Sequence, residues 1–457
     1  MQYNIRTPCL FVQTVVGDSF RSGGLNMFME KFFSLKENGT DVRTEVMAGV
    51  TTFLTMVYIL IVNPALLSSI GIPFEQVFMA TVISAVIGTL IMGLVAKYPI
   101  AIAPGMGLNA YFASVVGAQG LSYQTVFGTV FIAGLLFLLI SVTSLRKMII
   151  DAIPNSLKYG ITSGIGLFIA FIGLKNAGIV VPNESTMVTL GDLHQPGTVL
   201  ALAGLFITLI FMARNIKGAI FIGMIVTAII GYFIGLLNFD GVLSVPPTPV
   251  FFDIDIAGVF TNSLYSIVFA FLLVTIFDTT GTLIGVTEQA GLTKDGKIPR
   301  AKKAFLGDAI ATTVGSMFGT SPSTAYVESS TGVAAGGRTG LTATVVAILF
   351  AASIFFSPLI SAISSVQAIT APVLIIVGCF MMEGLAKVNW KIFDEAFPAF
   401  AIILTMPLTS SISTGIAIGF ITYPLMKVFS GKGKSVHPLI YIFGLIFLVQ
   451  LIFFPTH

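Results

Sequence analysis

The sequence predicts an all-α polytopic membrane protein. Hydrophobic residues make up 55% of the 457, charged residues make up 9%, and the mean hydropathy is +0.98. Soluble domains carry about 25% charged residues. Apolar runs of about 17 to 25 residues, long enough to cross a bilayer as helices, recur along the whole chain. These observations exclude a soluble globular protein.

Apolar stretches that could each form one span follow one another in chain order: 44–67, 74–96, 99–116, 122–145, 155–175, 198–213, 217–237, 264–287, 304–319, 323–337, 340–363, 367–386, 394–409, 411–428 and 437–454. The run 394–428 leaves the total at fourteen or fifteen. If it is one broken span, Lys427, Lys432 and Lys434 lie outside the cell. If it is two spans, these lysines lie inside and 437–454 forms an extra or interfacial helix.

Lysine and arginine are distributed unevenly between the two sets of loops. Because these residues collect in cytoplasmic loops, we expect a cytoplasmic N-terminus. The internal loops then hold Lys97, Arg146, Lys147, Lys158, Arg214, Lys217, Lys294, Lys297, Arg300, Lys302, Lys303, Arg338, Lys387 and Lys391. The external loops before residue 391 hold a single lysine among acidic residues: Lys175, Glu184, Asp192, Asp240, Asp253 and Asp255. The basic loop 293–304 is most simply a topology determinant.

The N-terminal segment, residues 1–43, precedes the first span. Its first part, residues 1–26, lacks a hydrophobic stretch long enough for a signal peptide and lacks a small-residue cleavage site. Met27 opens the stretch "MFMEKFFSLKENGTDVRTE", which resembles a natural start. We therefore expect residues 1–26 to be an extension without a structural role.

Cysteine and histidine usage argues against redox and metal chemistry. Cys9 and Cys379 are isolated, so that the sequence offers no disulfide framework and no zinc spacing. His194, His437 and His457 are scattered in loops or at the C-terminus, which disfavours a metal site or a catalytic dyad. We expect neither a metal nor a cofactor.

The third and tenth spans share an irregular pattern at corresponding places in the two halves. Residues 98–116, "YPIAIAPGMGLNAYFASVV", and residues 319–340, "GTSPSTAYVESSTGVAAGGRTG", each begin with Pro and Gly, pass through a short extended stretch and resume a helix. Non-helical backbone at membrane depth is tolerated only where protein or a water-filled cavity surrounds it. Paired interruptions of this kind predict a transporter binding site near the bilayer midplane. The alternative is a pair of kinked packing helices.

Asp278 is the single charged residue of the eighth span and lies near the bilayer centre. An aspartate at this depth costs about 3 kcal/mol on insertion scales, so we expect it to face a polar cavity or a hydrogen-bonding partner. Thr275 and Thr282 share its helical face. The alternative is a protonated packing residue that bonds to a neighbouring hydroxyl.

Glu328 is the carboxylate of the tenth span. It follows Tyr326 by two positions, so the two side chains project to one face if this stretch is extended. The following half-helix, which begins near Ser329 and Ser330, would add free N–H groups and a partial positive charge. In the alternative, Glu328 merely caps that helix.

Two further polar residues are candidates for the same site. Asn109 occupies the equivalent stretch of the third span, with Tyr111 alternate to it, and its amide can donate and accept at once. The alternative is a satisfied structural amide. Asp308 lies about one turn into the ninth span, where it is either a partner in the polar network or a residue that reaches the cytoplasmic interface.

These groups suit a flat heterocycle with several N–H donors and suit an anion poorly. A carboxylate accepts two parallel hydrogen bonds from adjacent donors, which is the pattern offered by N1–H and the 2-amino group of guanine. Tyrosine faces stack on planar bases, at about 1–3 kcal/mol per base in nucleic-acid sites. Adenine presents the reverse pattern at its N1 and position 6, and Asn109 can rotate to serve either edge.

Four stretches resemble a known family. "PGMGLNAYF", "FDTTGTLIGV", "DGKIPRAKKAFLGDAIAT" and "GTSPSTAYVESSTGVAAGGRTGLTA" are similar to signature stretches of the azaguanine-type purine permeases. These form a branch of the nucleobase-cation symporters (nucleobase/ascorbate transporters) that includes bacterial hypoxanthine/guanine permeases, and the resemblance runs from about residue 28 to the C-terminus.

The resemblance implies a fold of about fourteen transmembrane helices in two inverted seven-helix repeats, with short strands in the third and tenth spans. It also implies two domains, each made from both halves: a core domain of residues 44–145 and 256–363, and a gate domain of residues 146–255 and 364–457.

The resemblance carries roles to residues that the chemistry already singled out: Asp278, Glu328 and Asn109. Tyr326 matches a tyrosine that uracil-specific relatives carry two positions before the tenth-span glutamate. Those relatives have a histidine where this chain has Thr282, which puts a histidine-based proton relay in doubt. Some azaguanine-type members have an acid where this chain has Thr275, so a second acid in the eighth span is not assumed.

The sequence therefore predicts proton-coupled import of purine nucleobases, with hypoxanthine and guanine favoured. A proton loaded with the neutral base and released with it in the cytoplasm would couple transport to the gradient, and Asp278, Glu328 and Asp308 are the candidate carriers. One charge moving through ~150 mV supplies about 3.4 kcal/mol, enough for roughly 300-fold accumulation. The core would move against the gate in alternating access.

Several alternatives stay open at this point. The chain could prefer adenine, and sodium could replace the proton. An anion transporter on a related fold is disfavoured because the interrupted spans hold no Lys or Arg before Arg338. An intramembrane enzyme is disfavoured because no Ser/His or His/Asp pair stands at catalytic spacing within the spans. The expected partners are the purine and membrane lipid, without nucleic acid, and a homodimer stays open.

Overall fold

The computed structural model describes residues 23–143, 145–239, 241–293 and 298–453. Most of the predicted extension, residues 1–22, lies outside the described residues, and the first helix begins at Gly23. Other residues named in the sequence analysis that lie outside the described part are Cys9, Asp240, Lys294, Lys297 and His457.

Helices and two short strands form the first half of the chain, up to the external loop before residue 256. In chain order these are α1 Gly23–Phe33, α2 Val42–Met56, α3 Ile59–Ser68, α4 Phe74–Leu90, β1 Ile102–Pro104, α5 Met106–Gln119, α6 Tyr123–Val142, α7 Leu145–Ala152, α8 Asn155–Asn176, β2 Val180–Asn183, β3 Met187–Leu190, α9 Pro196–Ala213 and α10 Ala219–Phe233. A π-helical segment, Ile91–Ala96, continues α4.

The second half repeats the pattern of a broken span among regular helices. Its elements are α11 Ile256–Thr261, α12 Tyr265–Gln289, α13 Ala301–Phe318, β4 Ser323–Ala325, α14 Ser329–Ala334, α15 Gly340–Ala352, α16 Ser357–Ser365, α17 Gln367–Met381, α18 Phe393–Thr409, α19 Ile412–Phe429 and α20 Pro438–Phe453. Short 3-10 segments follow α15 and α17, at Ser353–Phe356 and Met382–Lys387.

The predicted all-helical membrane fold is confirmed. Within the described ranges, nine helical stretches are long and apolar enough to cross a membrane, and shorter apolar helices add to them. The predicted short strands of the third and tenth spans are β1 and β4. The structure adds one feature that was not predicted, an antiparallel hairpin of β2 and β3 in the loop after α8, whose turn is held by the side chain of Asn183.

The strands β1 and β4 pair antiparallel, with Ala103 opposite Thr324. Hydrogen bonds from Gly105 N to Pro322 O and from Tyr326 N to Ala101 O, both 2.9 Å, extend the pairing at its ends. Because the strands run in opposite directions, the helices that follow them, α5 and α14, leave from opposite ends of the pair. This is the arrangement expected of two inverted repeats that meet at their interrupted spans.

The run 394–428 forms two helices, α18 and α19, that pack against each other as a hairpin. The end of α19 returns to the beginning of α18, where Lys427 Nζ lies 3.2 Å from Asp394 Oδ1 and 2.5 Å from Glu395 Oε1. Lys432 also pairs with Asp394, at 2.8 Å. The run is therefore divided into two helices, of which α19 is long and apolar enough to cross a membrane, and α20 packs along α19. Whether the run counts as one broken span or as two stays open.

Helix packing separates into two sets of neighbours. One set joins α4 with α13 and α15, and α6 with α13. The other joins α8 with α17 and α18, and α9 with α10. The division into core and gate domains at the stated boundaries stays a prediction.

Candidate functional site

Side-chain hydroxyls complete the hydrogen bonding of the strand pair β1 and β4. Thr89 Oγ1 lies 2.9 Å from both the N and the O of Ile102 in β1. Thr312 Oγ1 takes the corresponding place beside β4, accepting from Ser323 N at 3.1 Å and donating to Ser323 O at 3.2 Å. Unsatisfied backbone groups cost several kcal/mol in a membrane interior. The Ser- and Thr-rich composition of this region therefore stabilises a non-helical backbone where the site is built.

Asp278 lies next to the middle of α12 and is half-buried. The hydroxyl of Thr324, in β4, forms a hydrogen bond with its carboxylate. One and two turns further along the same face, Gly281 and Gly285 are exposed, and a Cβ atom at either position would meet open space. Asp278, Gly281 and Gly285 thus form an open stripe along α12, and Asp278 lies at its inner end.

The two threonines predicted to join Asp278 are both buried. Thr275 donates its hydroxyl to Phe271 O of its own helix at 2.7 Å. Thr282 is buried one turn after Asp278. The structure keeps both on the helix face of Asp278, and neither forms a side-chain hydrogen bond with that carboxylate in the described part of the chain.

Glu328 is half-buried at the N-terminus of α14, but its side chain does not cap this helix. Instead, the hydroxyl of Tyr58 donates to Glu328 Oε1 at 2.5 Å. The capping alternative therefore does not describe this carboxylate. The predicted half-helix is a single short helix, α14, of six residues.

The expected extended geometry of Tyr326 and Glu328 is wrong. The strand ends at Ala325 and Glu328 has helical backbone angles, φ −56° and ψ −20°, so the alternation of a strand does not apply. Tyr326 instead donates its hydroxyl to Pro104 O at 2.6 Å and so fastens the tenth span to the third. The two side chains still lie close enough to interact electrostatically.

Asn109 also departs from the expected extended stretch, because it lies in the first turn of α5 and not in β1. Tyr111 lies in the same helix, so Asn109 and Tyr111 do not project from one face of a strand. The Asn109 side chain is fully buried and its Oδ1 accepts a hydrogen bond from the Ser321 hydroxyl. Its Nδ2 has no partner among the described residues, so the amide keeps a free donor.

Asp308 lies inside the polar network and not at the cytoplasmic interface, since its side chain is fully buried. The hydroxyl of Thr279, which follows Asp278 in the sequence, donates to Asp308 Oδ2. Asp278 itself interacts electrostatically with both Asp308 and Glu328. Asp278 is thus the carboxylate that interacts with each of the other two.

The stripe that contains Asp278 is closed on the side towards the start of α12. Two turns before Asp278, the ring of Phe271 packs on the ring of Tyr111, with centroids 4.6 Å apart. Both rings are fully buried, and the Tyr111 hydroxyl lies beside Ser413 of α19. The site is therefore sealed at one end by an aromatic pair and open at the other.

Three residues of this network were not found from the sequence: Tyr58, Thr279 and Thr324. Tyr58 could have been suspected, because a lone tyrosine hydroxyl in an apolar span needs a hydrogen-bonding partner. Its partner is 270 positions away and could not be named without the fold. Thr279 and Thr324 belong to stretches rich in hydroxyls, where spacing alone does not single out one residue.

The charge environment of the site is purely acidic. Among the described residues, no Lys or Arg forms an ion pair with Asp278, Glu328 or Asp308, and no group of three His, Cys, Asp or Glu side chains could hold a metal. Arg338 uses its guanidinium to bind the carbonyls of Val333 and Gly337 at 2.6 and 2.8 Å. The arrangement can accept hydrogen bonds and protons.

The chain was compared with known proteins. It is 59% identical over 430 residues to the guanine/hypoxanthine permease PbuO of Bacillus subtilis, covering 92% of this chain and 99% of that protein. It is 46% identical to the guanine/hypoxanthine permease PbuG of the same organism, covering 93% and 100%. It is also 46% identical to the adenine permease AdeP of Escherichia coli, covering 94% and 97%.

Solved structures share the fold at low sequence identity. The transmembrane domain of a cyanobacterial bicarbonate transporter, BicA, superposes with a TM-score of 0.64 at 18% identity, covering 81% of this chain and 96% of that domain. The murine anion transporter Slc26a9 superposes with a TM-score of 0.61 at 11% identity, covering 94% and 77%. The Permease family model matches residues 43–418, a region that contains every site residue described above. The chain is therefore a member of the Permease family of multi-pass membrane transporters, and the predicted resemblance to bacterial guanine/hypoxanthine permeases is confirmed.

Proposed function

We propose that the chain imports purine nucleobases, with hypoxanthine and guanine favoured, by proton-coupled alternating access across the bacterial plasma membrane. The observation that carries the proposal is the pair of interacting acceptor carboxylates, Asp278 and Glu328, next to the crossing of the two interrupted spans, where Asn109 of the third span keeps an unpaired amide donor. The names of the relatives, guanine/hypoxanthine and adenine permeases, support a purine substrate.

The polar groups match the edge of an oxopurine. N1–H of hypoxanthine, and N1–H with the 2-amino group of guanine, are donors that a carboxylate such as Glu328 accepts. The ring nitrogens and the 6-oxo group are acceptors that the free Asn109 Nδ2 can serve. A buried site built to hydrogen-bond a substrate discriminates strongly, because a mismatched ligand leaves polar groups unpaired.

Proton coupling is supported by the carboxylates in the site. A neutral base brings no charge of its own, so coupling to the membrane potential requires a charge carrier that loads with it. Asp278 interacts electrostatically with Asp308 and with Glu328, so a proton on Asp278 changes the cost of charge on the other two. We propose Asp278 as the coupling residue, because it interacts with both of the others and lies at the inner end of the open stripe.

Alternating access is supported by the one-sided opening of the site. The stripe is open towards the end of α12, at Gly281 and Gly285, and closed by Phe271 and Tyr111 towards its start. With the N-terminus of the chain in the cytoplasm, the end of α12 lies on the cytoplasmic side. The structure then corresponds to an inward-open state, and the complementary state requires the aromatic pair to separate.

An adenine-preferring transporter is the second candidate, because the adenine permease AdeP is as similar to the chain as PbuG is, at 46% identity each. The likeness to the anion transporters BicA and Slc26a9 concerns the fold, and in the described part of the chain no Lys or Arg is paired with the carboxylates of the site. The substrate is expected to cross unchanged, since the chain belongs to a transporter family and not to an enzyme class.

The proposal is tested with purified protein in vesicles that carry an inwardly directed proton gradient. We expect uptake of labelled hypoxanthine that collapses with a protonophore, and competition by guanine stronger than by adenine, xanthine or uracil. Stronger competition by adenine would shift the preference to the second candidate. Anion-dependent currents without purine uptake, or chemical change of the label inside the vesicles, would refute purine transport.

A further inference from the structure

We propose that Tyr58 is a positioning residue that sets purine preference: its hydroxyl holds Glu328 as a hydrogen-bond acceptor and so favours purines with an N1–H donor over adenine. The inference rests on the proposed function and deepens it. Tyr58 belongs to the first span, far in sequence from the residues that the interrupted spans contribute.

The position of Tyr58 follows from a break in the first span. The helix α2 ends at Met56, α3 begins at Ile59, and Tyr58 stands between them with 1% of its surface exposed. Its carbonyl accepts from Ile61 N and Val62 N, which secures the backbone at the start of α3. Its hydroxyl donates to Glu328 Oε1 at 2.5 Å.

Contacts between α2 and α14 near the Tyr58–Glu328 bond fix the distance between the two helices. Thr55 Oγ1 and Thr331 Oγ1 are hydrogen-bonded at 3.0 Å. At Gly332, a Cβ atom would lie 2.1 Å from Thr52 Oγ1 and 2.8 Å from Ala48 O, so the helices approach too closely for any side chain at that position. Close packing on one side and a hydroxyl pair on the other therefore position the Tyr58 hydroxyl against Glu328.

The bond favours one hydrogen-bonding role of Glu328 over the other. An ionised carboxylate only accepts hydrogen bonds, whereas a protonated one can also donate. A hydroxyl that donates to Oε1 stabilises the ionised form relative to the same site without that donor, and in the ionised form both oxygens accept. The carboxylate also accepts from its own backbone N–H, and its remaining lone pairs are those that N1–H of an oxopurine would use. The N1 of adenine is an acceptor and would face another acceptor, which leaves both unpaired.

Without the Tyr58 hydroxyl, this selection is lost. The Glu328 side chain can rotate, and its carboxyl can donate to the N1 of adenine when it carries a proton. Hypoxanthine should lose affinity, while adenine should lose little or gain. The measurable consequence is a change in the ratio of the two affinities, which a general loss of stability does not produce.

The test compares Tyr58→Phe with wild type by competition binding on purified protein, with labelled hypoxanthine as the probe. We expect the inhibition constant of hypoxanthine to rise about tenfold, as for one lost buried hydrogen bond, and that of adenine to change by less than about threefold. The matched control is Tyr423→Phe, because Tyr423 donates to Glu395 Oε1 at 3.1 Å in a similar pair outside the site. Its ratio of constants should equal the wild-type ratio.

A double variant separates positioning from structure. If Tyr58 acts through Glu328, adding Tyr58→Phe to Glu328→Gln should change the ratio by less than about twofold. If Tyr58→Phe does not insert, fluorinated tyrosines at position 58 keep the ring and the hydroxyl, and the ratio should follow the strength of the donor. A ratio unchanged in Tyr58→Phe, or unchanged along the fluorotyrosine series, overturns the inference while wild-type purine binding still supports the proposed function. Absence of purine binding by the wild type overturns both.

Discussion

The hydroxyl of Thr279 and the carboxylate of Asp308 join the two helices that frame the site. Thr279, on α12, donates to Asp308 Oδ2 on α13, and both side chains are fully buried. The same Thr279 oxygen accepts from Ala325 N of β4 at 3.4 Å. Asp308 Oδ1 has no partner in the described part of the chain. One hydroxyl therefore connects a buried acid, a strand and the helix that carries Asp278.

Replacement of Thr279 by valine should destabilise the protein and impair transport together. The change keeps the shape but leaves Asp308 without its hydroxyl donor, at about 1–3 kcal/mol for an unpaired buried group. The measurement is the thermal unfolding of purified protein, compared with Thr275→Val, whose hydroxyl bonds only to the carbonyl of its own helix at Phe271. Equal melting temperatures for the two variants would show that the Thr279 link does not matter.

Asp278→Asn should abolish proton-driven accumulation while purine exchange continues. Asparagine keeps the size of the side chain and can still pair with Thr324, but it cannot take up and release a proton. Accumulation in vesicles with an imposed gradient should fall to the equilibrium level, and exchange of labelled for unlabelled hypoxanthine should persist. Asp192→Asn, in an exposed loop, is the control. If Asp278→Asn accumulates hypoxanthine as the wild type does, Asp278 is not the residue that couples transport to the proton gradient.

Cysteine labelling should reveal the one-sided opening of the site. In a background without Cys9 and the exposed Cys379, Gly285→Cys should react with a membrane-impermeant maleimide from the cytoplasmic side, because a side chain there meets open space. Thr275→Cys should be protected, since Thr275 is buried beyond Asp278. Labelling of position 285 from the external side alone would reverse the proposed orientation, and hypoxanthine should slow the reaction.

Much of this fold was predictable, because a membrane-spanning helix is recognised from its own stretch of sequence. An apolar run of sufficient length needs no tertiary information, so the spans matched the helices, including the interrupted third and tenth. Asp278 stood out for the same reason, as a lone charge in such a run. The sequence did not decide whether the run 394–428 forms the hairpin of α18 and α19. The contacts of Lys427 with Asp394 and Glu395 join opposite ends of the run, so no local pattern indicates them.

The finer geometry of the site depended on contacts between distant segments. Tyr326 and Glu328 would share one face only if the extended stretch of the tenth span continued through residue 328. The strand ends at Ala325. Pairing with β1 determines that end, and a three-residue strand carries too few residues for a period to be recognised. Tyr58 and Glu328 meet because α2 packs on α14. Nothing in either segment alone indicates that contact.

Glu328→Gln should separate guanine from hypoxanthine. Because Oε1 is engaged by Tyr58, we expect the other oxygen to meet the substrate. Glutamine keeps one acceptor oxygen but places an amide donor at the other position. Whichever way the amide is turned, either the Tyr58 hydroxyl or the purine edge meets a donor, and buried groups are left unpaired at about 1–3 kcal/mol each.

Guanine should lose more affinity than hypoxanthine on this change. Guanine presents two donors on the edge, N1–H and the 2-amino group, whereas hypoxanthine presents one. The expected difference is about tenfold between the two inhibition constants, measured by competition in the same membranes. Adenine provides an internal control, because its N1 acceptor can pair with the new amide donor and its affinity should hold or improve. Equal losses for guanine and hypoxanthine would mean that Glu328 does not read this edge. Unchanged affinities for all three bases would place Glu328 outside the site, and its bond to Tyr58 would then serve the packing of α2 on α14 alone.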